Sequence, residues 1–369
     1  MGKRVVLAVT NDLTGDQRVH KVAMSLLNAG RIPVLVGRNL PGSRPLNRPY
    51  ECVRFTLIFR KGPLFYLNYN LRLFWFLLFV KVDTIVSNDL DTLAAVYLAG
   101  RLRRKGIVYD SHEYFTEVPE LVNRPGVRRI WERLESVIFP RLTAVYTVNQ
   151  SIASIYTEKY GVDVKVVQNL PPAVRPEPIP GLLPEGFTGY PIILYQGAVN
   201  VGRGLEQIIQ AMEFLPEMRL IIAGAGDIRK QLELLTKKLR LNDHVYFPGM
   251  VPFENLSWYT RQASIGISIE QDIGLNYRYA LPNKLFDYMQ AGLPVLASDL
   301  PEIRRVVESV GFGRIIDRFD PGFLAATIKD MMKNEEQMKT WKHNALNAYP
   351  AYTWETQEPL LLSVYTQSV

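Results

Sequence analysis

Cysteine is nearly absent from this chain: Cys52 is the single one in 369 residues. No internal disulfide can form, which fits a reducing compartment. Histidine is almost as scarce, with four in the chain, and no two fall at metal-binding spacing. Asp89 and Asp91 are placed to face one cation, but no third ligand lies near them, so neither a metal nor another cofactor is expected. No apolar run reaches the roughly 18–20 residues that cross a bilayer. The opening MGKRVVLAVTN lacks the apolar core of a signal peptide, so a cytoplasmic protein is expected. There is no Gly-x-Ser-x-Gly nucleophile elbow. Neither half carries Gly-x-Gly-x-x-Gly after its first strand, which disfavours a dehydrogenase.

What is present is a globular composition, 47% hydrophobic and 21% charged, with a net charge of +7. Such a charge suits an anionic partner, and alone it leaves nucleotide, nucleic acid and acidic membrane open. The basic runs Arg101–Lys105 and Arg124–Arg133 read first as solvated helix faces. No nucleic-acid recognition motif accompanies them, so nucleic acid is not expected as a partner.

Short β-branched runs alternate with amphipathic helices, the pattern of parallel sheets in an α/β protein. Strands are expected at Arg4–Thr10, Pro33–Gly37, Thr84–Asn88, Ile107–Asp110, Ala144–Val148 and Val164–Gln168. Helices fall between them at Val19–Asn28, Asp91–Arg104 and Val127–Phe139. The proline-rich stretch Asn169–Pro191 reads as a linker, after which the alternation restarts. Its strands are Ile192–Gln196, Arg219–Gly224, Val245–Phe247, Ile265–Ile269, Pro294–Ala297 and Gly313–Ile316. The helices among these are Leu205–Phe214, Ile228–Leu239, Glu254–Gln262 and Glu302–Val310. Two Rossmann-like domains are therefore expected, residues 1–170 and 171–349, facing a central cleft. A terminal helix in 350–369 is expected to cross back onto the first. Ligands of such sheets bind beyond the carboxyl ends of the strands.

The loops at those ends hold the candidates. Ala280–Ser298 opens a helix with a Pro-Asn pair, Lys284 in its first turn and Asp287 one turn in. A helix N-terminus suits a phosphate, and a bound anion would account for a lysine placed against the helix dipole. An ordinary turn with solvated side chains is the alternative. Gln196–Gly204 is glycine-rich and carries Arg203, whose fork grips phosphate oxygens; Gly197 opens that loop. Ala223–Asp227 is a second glycine-rich turn. In the first half, Asn11–Arg18 contains Gly15, Asp16 and Arg18. Asp16 is either a helix N-cap or a ligand contact, and Arg18 is a candidate to face a ligand. Asp89 and the segment Asp110-Ser-His-Glu113 also follow strands. His112 beside carboxylates is a general acid/base or electrostatic candidate.

Leu64–Val80 is the most hydrophobic segment. Its aromatics, flanked by Arg60, Lys61 and Lys81, suit either a buried helix or one lying at a membrane surface. The Arg124–Arg133 stretch with Trp131 would add to such a surface.

Taken in order, these motifs resemble the retaining glycosyltransferases of GT-B fold, in particular glycosyltransferase family 4. The likeness is carried by Tyr195-Gln-Gly with Arg203-Gly-Leu-Glu, and by Leu220–Asp227. It continues through Val245–Val251 with Tyr259 and Leu281–Val295, and is supported in the first domain by Asp89–Leu93 and Tyr109–Glu113. The resemblance implies a nucleotide-sugar donor and a glycan or lipid-linked acceptor in cell-surface polysaccharide or lipid-linked glycan synthesis, without a metal. It further implies that Arg203 and Lys284, with N–H groups around Asn283, neutralise the diphosphate. Asp287 would hold the ribose, and the backbone at Met250 and Val251 the base. His112, Asp89 and Glu113 would border the sugar and the acceptor hydroxyl. The sequence departs from the family at Tyr279 and Asp287, where paired glutamates are common, at Ala198, a frequent arginine, and at Asn88, a frequent histidine. A nucleotide-sugar 2-epimerase on the same fold and a basic nucleic-acid-binding protein are the alternatives.

Overall fold

The computed structural model describes all residues except 1, 123, 175, 176, 178, 368 and 369. Part of the expected linker thus lies outside the described residues. The chain divides into two units: Met1–Asn169 with Trp354–Val369, and Leu170–Thr353.

The first unit holds a seven-stranded sheet of β1 (Arg4–Ala8), β2 (Ile32–Arg38), β3 (Glu51–Phe55), β4 (Thr84–Asn88), β5 (Gly106–Ser111), β6 (Val145–Thr147) and β7 (Val164–Val166). The spatial order is β3-β2-β1-β4-β5-β6-β7, with every pair parallel. Parallel strands covered on both faces read as continuous apolar runs. Alternation along β1 divides its side chains between two cores. Val5 and Leu7 pack under helix Gln17–Asn28 and the terminal helix Trp354–Gln367, whereas Val6 and Ala8 pack under helices Gly62–Phe79 and Leu90–Arg103. β3 escapes the sequence pattern because ECVRF is at most half-buried and its short apolar run is broken by Glu51 and Arg54.

The second unit holds a six-stranded parallel sheet of β8 (Ile192–Gln196), β9 (Arg219–Ala223), β10 (Val245–Gly249), β11 (Ile265–Ser268), β12 (Val295–Ser298) and β13 (Gly313–Ile316). Its order is β10-β9-β8-β11-β12-β13. Two cores again lie on opposite faces, Ile193 and Tyr195 on one and Ile192 and Leu194 on the other. Helices Pro321–Lys333 and Glu335–Ala348, which the sequence pattern missed, follow β13.

In each sheet the strand order reverses once, between β1 and β4 in the first and between β8 and β11 in the second. Loops leaving adjacent strands to opposite sides at that point leave a crevice beyond the strand ends. The candidate residues cluster at these two positions.

Candidate functional site

In the first unit the chain leaves β4 through Asp89, whose backbone has φ of 62°, a left-handed conformation that is strained for a residue with a side chain. Its carboxylate is what holds it there. Asp89 Oδ1 accepts from the His112 backbone N–H at 2.8 Å, and Oδ2 lies 3.3 Å from His112 Nδ1. The other ring nitrogen, Nε2, is 3.1 Å from Asp110 Oδ2. Asp110, at the end of β5, is fully buried and gripped by Arg18, with Nη2 to Oδ1 at 2.7 Å. Arg18 Nη1 donates to the Val167 carbonyl at 2.9 Å.

Arg18 therefore does not face a ligand. It is buried at 4% exposure because the carboxylate of Asp110 beneath it needs a partner. Asp16 is the N-cap of helix Gln17–Asn28, accepting from Val19 N–H at 3.0 Å, and its second oxygen is bonded by Asn11. Gly15 is exposed in open space where a Cβ would meet nothing, so no close approach demands glycine there.

Electrostatics of this cluster follow from burial and sign. Burial disfavours the His112 cation, but Asp89 and Asp110 outweigh that cost and raise its pKa to about 10. Burial works against the Asp110 carboxylate too, and there Arg18 and His112 win, holding it near 2. Asp89 goes the other way, pushed up to about 7 by burial with Glu113 and Asp91 adding repulsion. Asp91, buried and bonded by Thr10 Oγ1 at 2.5 Å, is likewise raised to about 6. His112 thus favours its imidazolium form, with the ionised Asp110 at one nitrogen and Asp89, which titrates near neutrality, at the other. That makes it a fixed charge and not a free base. Glu113 is half-buried beside it.

In the second unit the loop after β8 passes Gly197 and Arg203, and β11 leads through Ile269 into Glu270. Glu270 is fully buried. Lys284 Nζ donates to its Oε1 at 2.6 Å, Ser268 Oγ donates to Oε2 at 2.7 Å, and Arg203 Nη1 lies 3.6 Å from Oε1. The Lys284 ammonium also sits 4.0 Å from the centre of the Tyr195 ring. So the anion that answers Lys284 at its helix start is Glu270, a carboxylate of the protein itself. Lys284 is only 7% exposed, whereas Arg203 is 24% exposed, stacks over Tyr277, and has a buried Nε that makes no hydrogen bond. Burial lowers the Lys284 pKa and works against the Glu270 carboxylate, but Lys284 and then Arg203 hold the latter below its ordinary value.

Backbone geometry selects glycine in this loop. Gly197 has φ of 135°, while a Cβ there would meet only ordinary contacts, the Tyr195 hydroxyl at 3.6 Å and Lys284 Cε at 3.9 Å. Gly204 caps helix Leu205–Ala211 with φ of 69°, and a Cβ would come within 2.6 Å of the Ile269 carbonyl. Helix Lys284–Ala291 starts after an exposed Asn283, but three of its first N–H groups are already used. Leu285 donates to the Pro282 carbonyl, and Phe286 and Asp287 to that of Asn283. Asp287 Oδ2 accepts from Gln196 Nε2 at 2.7 Å, which ties the helix to the end of β8. Met250 and Val251 follow β10; the Met250 side chain is 80% exposed, and Val251 packs partly on the core.

Sequence reasoning left Asp110 out of the candidates and passed over Glu270 altogether. Glu270 had one usable signal: it follows a strand-like run directly, as a carboxylate would beside the glycine-rich loop across a strand-order reversal. Among the described residues no group of three His, Cys, Asp or Glu side chains is arranged to hold a metal ion.

Comparison with known proteins adds the following. The model for glycosyl transferases group 1 matches residues 184–348, and that for glycosyltransferase family 4 matches residues 17–177. The D-inositol 3-phosphate glycosyltransferase of Xylanimonas cellulosilytica is 24% identical over 229 residues, covering 57% of this chain and 53% of its own. The chain spans about half the length of the curated relatives it matches. Among solved structures, sucrose-phosphate synthase from Thermosynechococcus elongatus superposes with a TM-score of 0.78 at 18% identity, over 99% of this chain and 98% of that one. Anabaena HepE in complex with UDP and glucose gives 0.75 at 15% identity, over 99% of each. At these identities the structural likeness is one of fold.

Proposed function

Because this chain belongs to the family 4, group 1 glycosyltransferases and has their α/β fold of two parallel sheets, we propose that it moves a sugar from a nucleoside-diphosphate donor to an acceptor hydroxyl with retained anomeric configuration. The observation that carries the reading is the Arg203–Glu270–Lys284 cluster, two cations on one buried carboxylate at the strand-order reversal of the second unit. One positive charge is left over. It belongs mostly to Arg203, the more exposed cation, whose buried Nε lacks a partner.

In the reaction the bond from the sugar carbon to the diphosphate breaks, a bond to the acceptor oxygen forms on the same face, and the acceptor proton leaves with the diphosphate. Negative charge grows on the leaving group. A fixed guanidinium already oriented by Glu270 and Tyr277 stabilises it without reorganising, and takes the part a metal ion would otherwise play. Lys284 acts mainly by fixing Glu270 and the loop at Gly197. Asp287, held by Gln196, is offered to ribose hydroxyls, and the backbone at Met250 and Val251 to the base. In the first unit, Asp89 with His112 is the acceptor-side pair, the imidazolium fixing the carboxylate and the carboxylate orienting a hydroxyl.

Titration of UDP-, GDP- and ADP-sugars against the protein, followed by thermal unfolding, tests this. One donor family should raise the melting temperature, and Arg203→Ala should sharply reduce the rise. If no nucleotide sugar does so, the donor site is misassigned. UDP released from a UDP-N-acetyl sugar with no acceptor and no glycosidic product would point instead to 2-epimerisation.

A further inference from the structure

Helix Gly62–Phe79 is mostly apolar, interrupted by Asn68, Asn70 and Arg72, and a helix so rich in large apolar side chains is normally enclosed by protein or lipid. Here only one side is enclosed. Phe65, Tyr69, Leu73 and Leu77, four residues apart, are buried against the sheet. The opposite stripe is open: Leu64 52%, Leu67 56%, Leu71 50%, Trp75 57% and Phe79 79% exposed. With 100° per residue these five fall within about a third of the helix circumference, so they form one ridge, entered only by the half-buried Asn68, whose Oδ1 accepts from the Ile58 N–H at 3.2 Å. Trp75 and Phe79 stack in parallel at 6.3 Å, adding a flat aromatic end. Just before the helix, Ile58 is 76% exposed. Helix Leu90–Arg103 belongs to the same layer and leaves Leu98 and Leu102 exposed beside Arg101.

Soluble monomers rarely leave so long an apolar ridge in water. The charges around it say what covers it. Between Glu51 and Asp83 there is no acidic residue, while Arg60, Lys61, Arg72 and Lys81 are all exposed there. A second copy docking ridge to ridge would bring these cations together. An anionic surface with an apolar interior complements both features. No helix among the described residues is long and apolar enough to cross a membrane, so the fit is a helix lying in the interface plane, ridge inward. Trp131, half-buried, does not add to the ridge: it packs edge-on against Tyr66 at 5.1 Å and braces the helix from the side.

We propose that the ridge of helix Gly62–Phe79 docks the first unit onto an anionic lipid bilayer, with Lys61 and Lys81 at its ends engaging acidic headgroups. The inference is independent of the donor-site reading.

Sedimentation of the full chain with vesicles tests it, comparing pure phosphatidylcholine with phosphatidylcholine containing about 30 mol% phosphatidylglycerol. The protein should pellet with the anionic vesicles and much less with the neutral ones. Trp75→Glu/Phe79→Glu, at positions more than half exposed, should weaken binding by at least about tenfold while the far-ultraviolet spectrum stays unchanged. Lys61→Glu/Lys81→Glu should lower it about fivefold per lysine and flatten its salt dependence. Failure of the wild type to pellet overturns the proposal, as does unchanged binding by Trp75→Glu/Phe79→Glu. A lipid-free dimer in sedimentation velocity that Trp75→Glu/Phe79→Glu dissolves would also overturn it, assigning the ridge to a second copy.

Discussion

Both units set charged side chains at the strand-order reversal of a parallel sheet, but with opposite balances. The first gathers Asp89, Asp91 and Asp110 around Arg18 and His112; the second gathers Arg203 and Lys284 around Glu270. In each, one buried carboxylate is the anchor and one buried cation is spent on it. What remains exposed differs: a carboxylate–imidazolium pair in the first, a guanidinium in the second. Acid surplus suits the handling of hydroxyl protons, and cation surplus suits phosphate. The same scaffold position thus acquires different chemistry from one sign of charge.

The largest expected effects come from removing an anchor's partner. Lys284→Met and Arg18→Met should each cost about 3–5 kcal/mol of stability in urea unfolding, because each takes the nearest cation from a buried carboxylate. Adding Glu270→Gln to the former should restore much of the loss. If either single variant is as stable as the wild type, that cation is not the structural member of its cluster. Arg203→Ala comes next. Its fold should survive with little loss, while nucleotide-sugar affinity in calorimetry falls roughly tenfold to a hundredfold, the worth of one or two charge-assisted hydrogen bonds. Equal damage to stability and affinity would erase the distinction between Arg203 and Lys284.

pH separates the clusters further. His112 is raised to about 10 from 6.5, so its contribution to stability is full below pH 6.5 and lost as pH rises through about 10. Asp110 is lowered to about 2 from 3.8, so its contribution is full above pH 3.8 and fades as pH falls toward 2. Lys284 is lowered, so it adds no alkaline loss of this kind in the second unit. Urea midpoints across the alkaline range should therefore decline in the wild type and stay flatter in His112→Gln. Parallel curves would remove the histidine from the account. The smallest effect is expected at Asp16→Ala: about 1 kcal/mol for a lost helix cap, with donor affinity unchanged. A change in affinity would make Asp16 more than a cap.

The doubly wound character of both halves was legible because buried parallel strands are largely continuous apolar runs; Ile192–Gln196 and Thr84–Asn88 emerge with the same ends in the structure. Strand β3 was not, since none of its five residues is buried and Glu51 and Arg54 break its apolar run. Arg203 and Lys284 were singled out through glycine spacing and helix-start logic, which are local signals. Their shared partner was not, because Glu270 lies 14 residues from Lys284 and only the sheet brings them together. Arg18 misled for the same reason: nothing local announces Asp110, 92 residues away, as the group that draws it inward.

The terminal helix Trp354–Gln367 places Trp354, Leu361, Val364 and Tyr365 in the same core as Val5 and Leu7. The first unit is consequently discontinuous, interrupted by the whole of the second. During synthesis residues 2–169 must wait for Trp354–Gln367 before their core can close, while the segment made between them is already complete in itself. Order of manufacture and order of completion are thus reversed along this chain, and the early segment passes that interval with one face of its sheet incompletely covered.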